Sequence, residues 1–89
     1  MNEKGWDPRV LDWLNDAIGL RDIELAAACG LETKATILNW KNRRGQPDAT
    51  QVSDLANVAT RRLAKNGNEA VVTPNMLLGW EALPDLVAA

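Results

Sequence analysis

Along most of the chain apolar side chains recur three and four positions apart, which places them on one face of a helix. Period-two alternation of β-branched residues is confined to the short Val71-Val72-Thr73. Trp6-Asp7-Pro8 predicts the start of a first helix, with Asp7 as cap and Pro8 at the first helical position. Val10, Leu14, Ala17 and Ile18 follow at helical spacing, and Gly19 stands where a left-handed terminator is wanted. Asp22 and Glu24 open a second helix, where acids suit the macrodipole, and Leu25 to Cys29 carries it to Gly30. A third helix is predicted from about Thr33, its N-cap, to Asn42, with Ile37 and Trp40 on one face. Gly45 and Pro47 make the next stretch a loop. Asp48 starts a fourth helix with Val52, Leu55, Ala56, Ala59 and Leu63 inward, ended by Lys65-Asn66-Gly67-Asn68. Thr73-Pro74 repeats the cap-plus-proline signature and starts a short fifth helix bearing Met76, Leu77 and Trp80. The expected fold is all-α, a compact four- to five-helix domain, without repeats or linker. It is one domain over 1–89, with its core over about 7–80 and a short apolar tail over 81–89.

Composition narrows the chemistry. The 89 residues carry 46% hydrophobic and 25% charged residues, ordinary globular usage. No apolar run nears the roughly 18–20 residues that span a bilayer, so no membrane partner is expected. The opening Met-Asn-Glu-Lys-Gly-Trp lacks the build of a signal peptide, and the single Cys29 excludes an internal disulfide. A cytoplasmic location is the expectation. There is no His and no Tyr, one Cys and one Ser (Ser53), so a nucleophile would lack its usual base. One Cys without His builds no zinc site, and isolated glycines form no phosphate loop. The neighbouring acids Asp12/Asp16 and Asp22/Glu24 suit a solvated helix face better than acid–base work. No enzyme, metal or cofactor is expected.

The stretch Leu25-Ala26-Ala27-Ala28-Cys29-Gly30-Leu31 points elsewhere. A small inward residue, Ala26, followed four positions on by a turn glycine, lets a second helix pack closely at a steep angle, as in a helix-turn-helix. Together with Ile37, Asn39-Trp40-Lys41 and Pro47, this stretch resembles the lambda-repressor-like family, in particular phage repressor domains of the CI type and the wider XRE-type regulators. The likeness runs from about Leu20 to Pro47, and more weakly through Leu78, where Val72-Thr73-Pro74-Asn75-Met76-Leu77-Leu78-Gly79 looks like the closing stretch of such domains. The resemblance implies a sequence-specific regulator of phage or mobile-element origin that occupies a double-stranded DNA operator as a homodimer. Two positions depart from the pattern. Gly30 to Ile37 is one residue longer than the usual spacing, which implies an insertion near Glu32 or Thr33. Asp22 stands where relatives often donate to a phosphate, so that contact is expected to be lost or replaced.

Charge agrees with a nucleic-acid partner. Residues 33–44 hold Lys34, Lys41, Arg43 and Arg44 and no acid, a local +4, which leaves −6 on the rest of a chain of net charge −2. Phosphate neutralisation is local, so one cationic face suffices. With Ile37 and Trp40 inward, the opposite face of the third helix carries Ala35, Leu38, Asn39 and Asn42, flanked by Lys34 and Thr36. Lys34, Ala35, Thr36, Leu38 and Asn39 are the expected base contacts: Asn pairs with adenine, Lys donates to guanine, and apolar groups meet the thymine methyl. Thr33, Lys41, Asn42, Arg43 and Arg44 are the expected phosphate contacts. About four phosphate contacts per monomer would give a dimer a slope of log K against log salt of about −7. Trp80, Leu83, Leu86 and Val87, beyond the core, are the candidate dimer interface. The alternative is a protein-interaction module of antirepressor or antitoxin-like type, favoured by Asp22 and the acidic balance.

Overall fold

Five α-helices and one π-helical turn make up the regular structure of residues 6–84, the part of the chain that the computed structural model describes. They are α1 (Arg9–Trp13), the π turn (Leu14–Ile18), α2 (Asp22–Ala28), α3 (Ala35–Lys41), α4 (Ala49–Lys65) and α5 (Pro74–Leu77). Among the described residues there is no strand, and no helix is long and apolar enough to cross a membrane.

α4 is the longest element, and its start is fixed locally. Asp48 Oδ1 accepts from the Gln51 amide at 2.8 Å, while Gln51 Oε1 accepts from the Asp48 amide at 2.9 Å. This reciprocal pair satisfies two donors that a helix start otherwise leaves open. Val52, Leu55, Ala56, Ala59 and Leu63 are all buried, the face that the spacing predicts. Val10, Leu11, Leu14, Ile18, Leu20, Leu25, Ile37, Trp40, Val72 and Leu77 complete the core around it. The chain returning from α4 is held by one hydroxyl. Thr60 Oγ1 accepts from the Val72 amide at 2.9 Å and lies 3.1 Å from the Val72 carbonyl, so Val71-Val72-Thr73 is tied to a helix rather than to a strand. Thr73 Oγ1 then accepts from the Met76 amide at 3.3 Å, with Pro74 in the first turn of α5.

The first helix differs from its expected course. It begins at Arg9 with Pro8 in the cap position, one residue later than expected, although Asp7 Oδ1 accepts from the Arg9 amide at 2.9 Å; regular α-helix then ends at Trp13 and the chain widens into a π turn. Leu20 N donates to Leu14 O at 3.1 Å across that turn. The widening keeps Leu11, Leu14, Ile18 and Leu20 all buried, and it sets Asn15, half-buried, with its amide on the Leu20 carbonyl at 2.6 Å. Such turns carry one residue more than an α-helical turn, a change of register that apolar spacing alone does not reveal.

Candidate nucleic-acid interface

α2 and α3 are joined by residues 29–34, and the joint depends on two features of the sequence. Gly30 has φ +71°, a left-handed conformation that costs a residue with a Cβ about 1–2 kcal/mol. Leu31 N donates back to Ala26 O at 2.9 Å, closing the end of α2. Ala26, the small inward residue of α2, is fully buried. Thr33 Oγ1 accepts from the Ala35 amide at 3.3 Å, and helical hydrogen bonding begins one to two residues later than the expected Thr33 start.

α3 has two buried anchors, Ile37 and Trp40, and Trp6 stands edge-on to Trp40 with ring centroids 6.3 Å apart. The remaining faces are turned outward. Lys34, Ala35, Leu38, Asn39 and Asn42 are exposed, so four of the expected base-contact residues face solvent, whereas Thr36 is half-buried beside Trp40 on the flank of the helix. Arg43 and Arg44 follow directly, both exposed. Among the described residues four ion pairs form, and none engages Lys34, Arg43 or Arg44.

Lys41 is placed differently from its expected phosphate role. Its Nζ lies 2.8 Å from Asp22 Oδ1 and donates to Asp22 Oδ2 at 3.0 Å and to Asn15 Oδ1 at 2.6 Å. Asn15 Nδ2 in turn donates to Asp22 Oδ1 at 3.1 Å. The lysine and aspartate side chains are only 24% and 18% exposed. One cluster thus joins the π turn, the first residue of α2 and the last residue of α3. Asp22, expected to repel a phosphate, is neutralised within the protein. Sequence reasoning missed this cluster; its only signal is three polar residues set among apolar helical positions.

A second ionic contact was equally hidden. Arg62 of α4, half-buried, pairs with Glu24 and donates through Nη1 to the Gly19 carbonyl at 3.1 Å. Arg21 also donates to Glu24 at 3.2 Å. Partial burial raises the Glu24 pKa, and the bonds from Arg21 and the field of Arg62 outweigh it, leaving the carboxyl below its ordinary value. So Asp22 and Glu24 form internal ties, whereas Asp12 and Asp16 lie on the exposed face that their spacing predicts.

The end of α3 is strained. Arg43 N donates to Trp40 O at 3.1 Å and Arg44 N to Asn39 O at 2.8 Å, the closure that terminates α2 and α4 as well. Gly30 and Gly67 take the left-handed position there, but in α3 it falls on Arg43, with φ +61°. Arg43→Gly should therefore raise stability by about 0.5–1 kcal/mol, the relief of left-handed strain less the extra chain entropy of glycine. Thermal unfolding should show a Tm higher by about 3–6 °C. An unchanged Tm would mean that the turn carries no strain.

Other expected site residues give less. Trp80 is 61% exposed and Leu83 half-buried, while Leu86 and Val87 lie outside the described residues. Cys29 is half-buried, with Sγ 3.7 Å from the Gln51 carbonyl. Burial first, then the charges of Asp54 and Asp48, push its thiol up to about 11, so it stays protonated at neutral pH. Among the described residues no group of three or more Cys, Asp or Glu side chains could hold a metal. No family model, curated protein or solved structure matches the chain.

Proposed function

We propose that the protein is a sequence-specific double-stranded DNA-binding regulator of the helix-turn-helix type, which acts by occupying an operator. The observation that carries this reading is the outward surface of α3. Lys34, Ala35, Leu38 and Asn39 stand free of the core, with Arg43 and Arg44, which form no ion pair among the described residues, at their carboxy-terminal end. A helix offering amide, ammonium and apolar groups has the complement of major-groove base edges, and flanking guanidinium groups suit phosphates. Proteins of this architecture bind paired half-sites, and the exposed Trp80 supports a dimer contact near the carboxy-terminal end. A protein-docking role is the second reading. The exposed Ile23 on α2 and Leu38 on α3 favour it, because apolar groups on adjacent helices also suit a protein partner.

Asn39→Ala separates the two. Asn39 is exposed and its side chain supports nothing in the core, so melting should be unchanged. Titration of the preferred duplex should show a loss of about 1–3 kcal/mol, with affinity for random DNA retained. Wild-type affinity for both duplexes would remove this face from DNA and favour the docking role.

A further inference from the structure

We propose that Asn15, Asp22 and Lys41 form a positioning device, which fixes the roll of α3 on α2 and so decides which base edges Leu38 and Asn39 reach. This rests on the DNA-binding reading of α3. α3 has seven residues, and only Ile37 and Trp40 are buried. At about 100° per residue these two lie roughly 60° apart around the helix axis, a narrow seam about which so short a helix can roll. Lys41 falls about 40° beyond Ile37 on the side away from Trp40, and its ammonium is bonded to both Asp22 oxygens and to Asn15. The tether thus widens the anchored arc to roughly 100° and ties it to a different element, the π turn. A roll of about 20° would sweep a side-chain tip ~6 Å from the axis by about 2 Å, far outside the distance range of a hydrogen bond. The pair is three-quarters or more buried, a setting in which an ion pair adds little net stability over apolar groups of similar size while it restricts geometry. Lys41 therefore acts through Leu38 and Asn39 and touches no phosphate.

The test compares the wild type with the double variant Asp22→Leu/Lys41→Met, which keeps bulk at both positions and removes both charges. Each is titrated with the preferred duplex and with random duplex over a range of salt. The expected result is a melting temperature within a few degrees of wild type, an unchanged salt slope, and a preferred-to-random affinity ratio lower by about tenfold, the worth of one well-made base contact. Arg44→Ala is the contrasting control: its slope should become shallower by about 2 for a dimer, with the ratio preserved. A double variant with the wild-type ratio overturns the proposal, and so does one whose slope is shallower by about 2, which would put Lys41 on a phosphate. A wild type that prefers no duplex overturns the DNA reading itself, a distinct outcome. Should the double variant fail to fold, Asp22→Asn/Lys41→Met, which keeps a polar partner for Asn15 but removes the ammonium tether, is measured in the same way: a lower ratio at unchanged slope supports the proposal, and an unchanged ratio overturns it.

Discussion

Trp40→Ala is expected to cost about 3–5 kcal/mol of folding stability, the usual loss when a large buried aromatic is truncated and a cavity is left behind. Trp40 is 4% exposed, one of two buried anchors of α3, and the partner of Trp6 in an edge-on pair worth about 0.5–1.5 kcal/mol beyond its area. Domains of this size have a small margin, so the loss is a large fraction of the total. Melting followed by circular dichroism should show a fall in Tm of more than 10 °C, or no cooperative transition. Affinity for every duplex should fall with it, because α3 loses its support. A Tm within a few degrees of wild type would show that α3 is anchored elsewhere.

The second large effect is on binding. On the DNA-binding reading, with Lys41 engaged by Asp22, about three phosphate contacts per monomer would remain, or six for a dimer. The expected salt slope is then about −5 rather than the −7 that four free contacts would give. Arg43→Ala with Arg44→Ala should reduce it to about −2 and weaken binding roughly 10³-fold near 0.1 M salt, alike on preferred and random duplexes. The fold should tolerate the change, since both side chains are exposed and form no ion pair among the described residues. A slope unchanged in the double variant would place these arginines off the DNA. Arg43→Gly separates charge from geometry, because it relieves the left-handed turn while removing the same guanidinium.

The elements that announced themselves in the sequence did so through local chemistry. Asp48 as a helix start, Thr73 with Pro74, and the three-four spacing from Val52 to Leu63 each act within a few residues, and the structure realises all of them. Ile37 and Trp40 were likewise set inward by spacing alone, which also assigned the outward face of α3. What stayed hidden depends on residues distant in the chain. Lys41 meets Asp22 across 19 positions and Asn15 across 26, and Arg62 reaches Glu24 across 38, so a local reading leaves these cations free. The π turn escaped for a different reason. Its extra residue leaves the inward pattern of Leu14 and Ile18 intact and changes only what lies between, which is Asn15. Gly45 and Pro47 marked the loop after α3, yet the left-handed closure falls on Arg43, because the Arg43 and Arg44 amides donate to the Trp40 and Asn39 carbonyls and set it there.

The central claim is that the outward face of α3 and its two arginines bind duplex DNA. The measurement that tests it most directly is a gel-shift titration of the wild-type protein against a panel of duplex fragments at several salt concentrations. The account predicts a discrete complex with a preferred fragment, and an affinity that falls with a log–log slope of about −5. Failure to retard any fragment at low salt, or an affinity indifferent to salt, would contradict it.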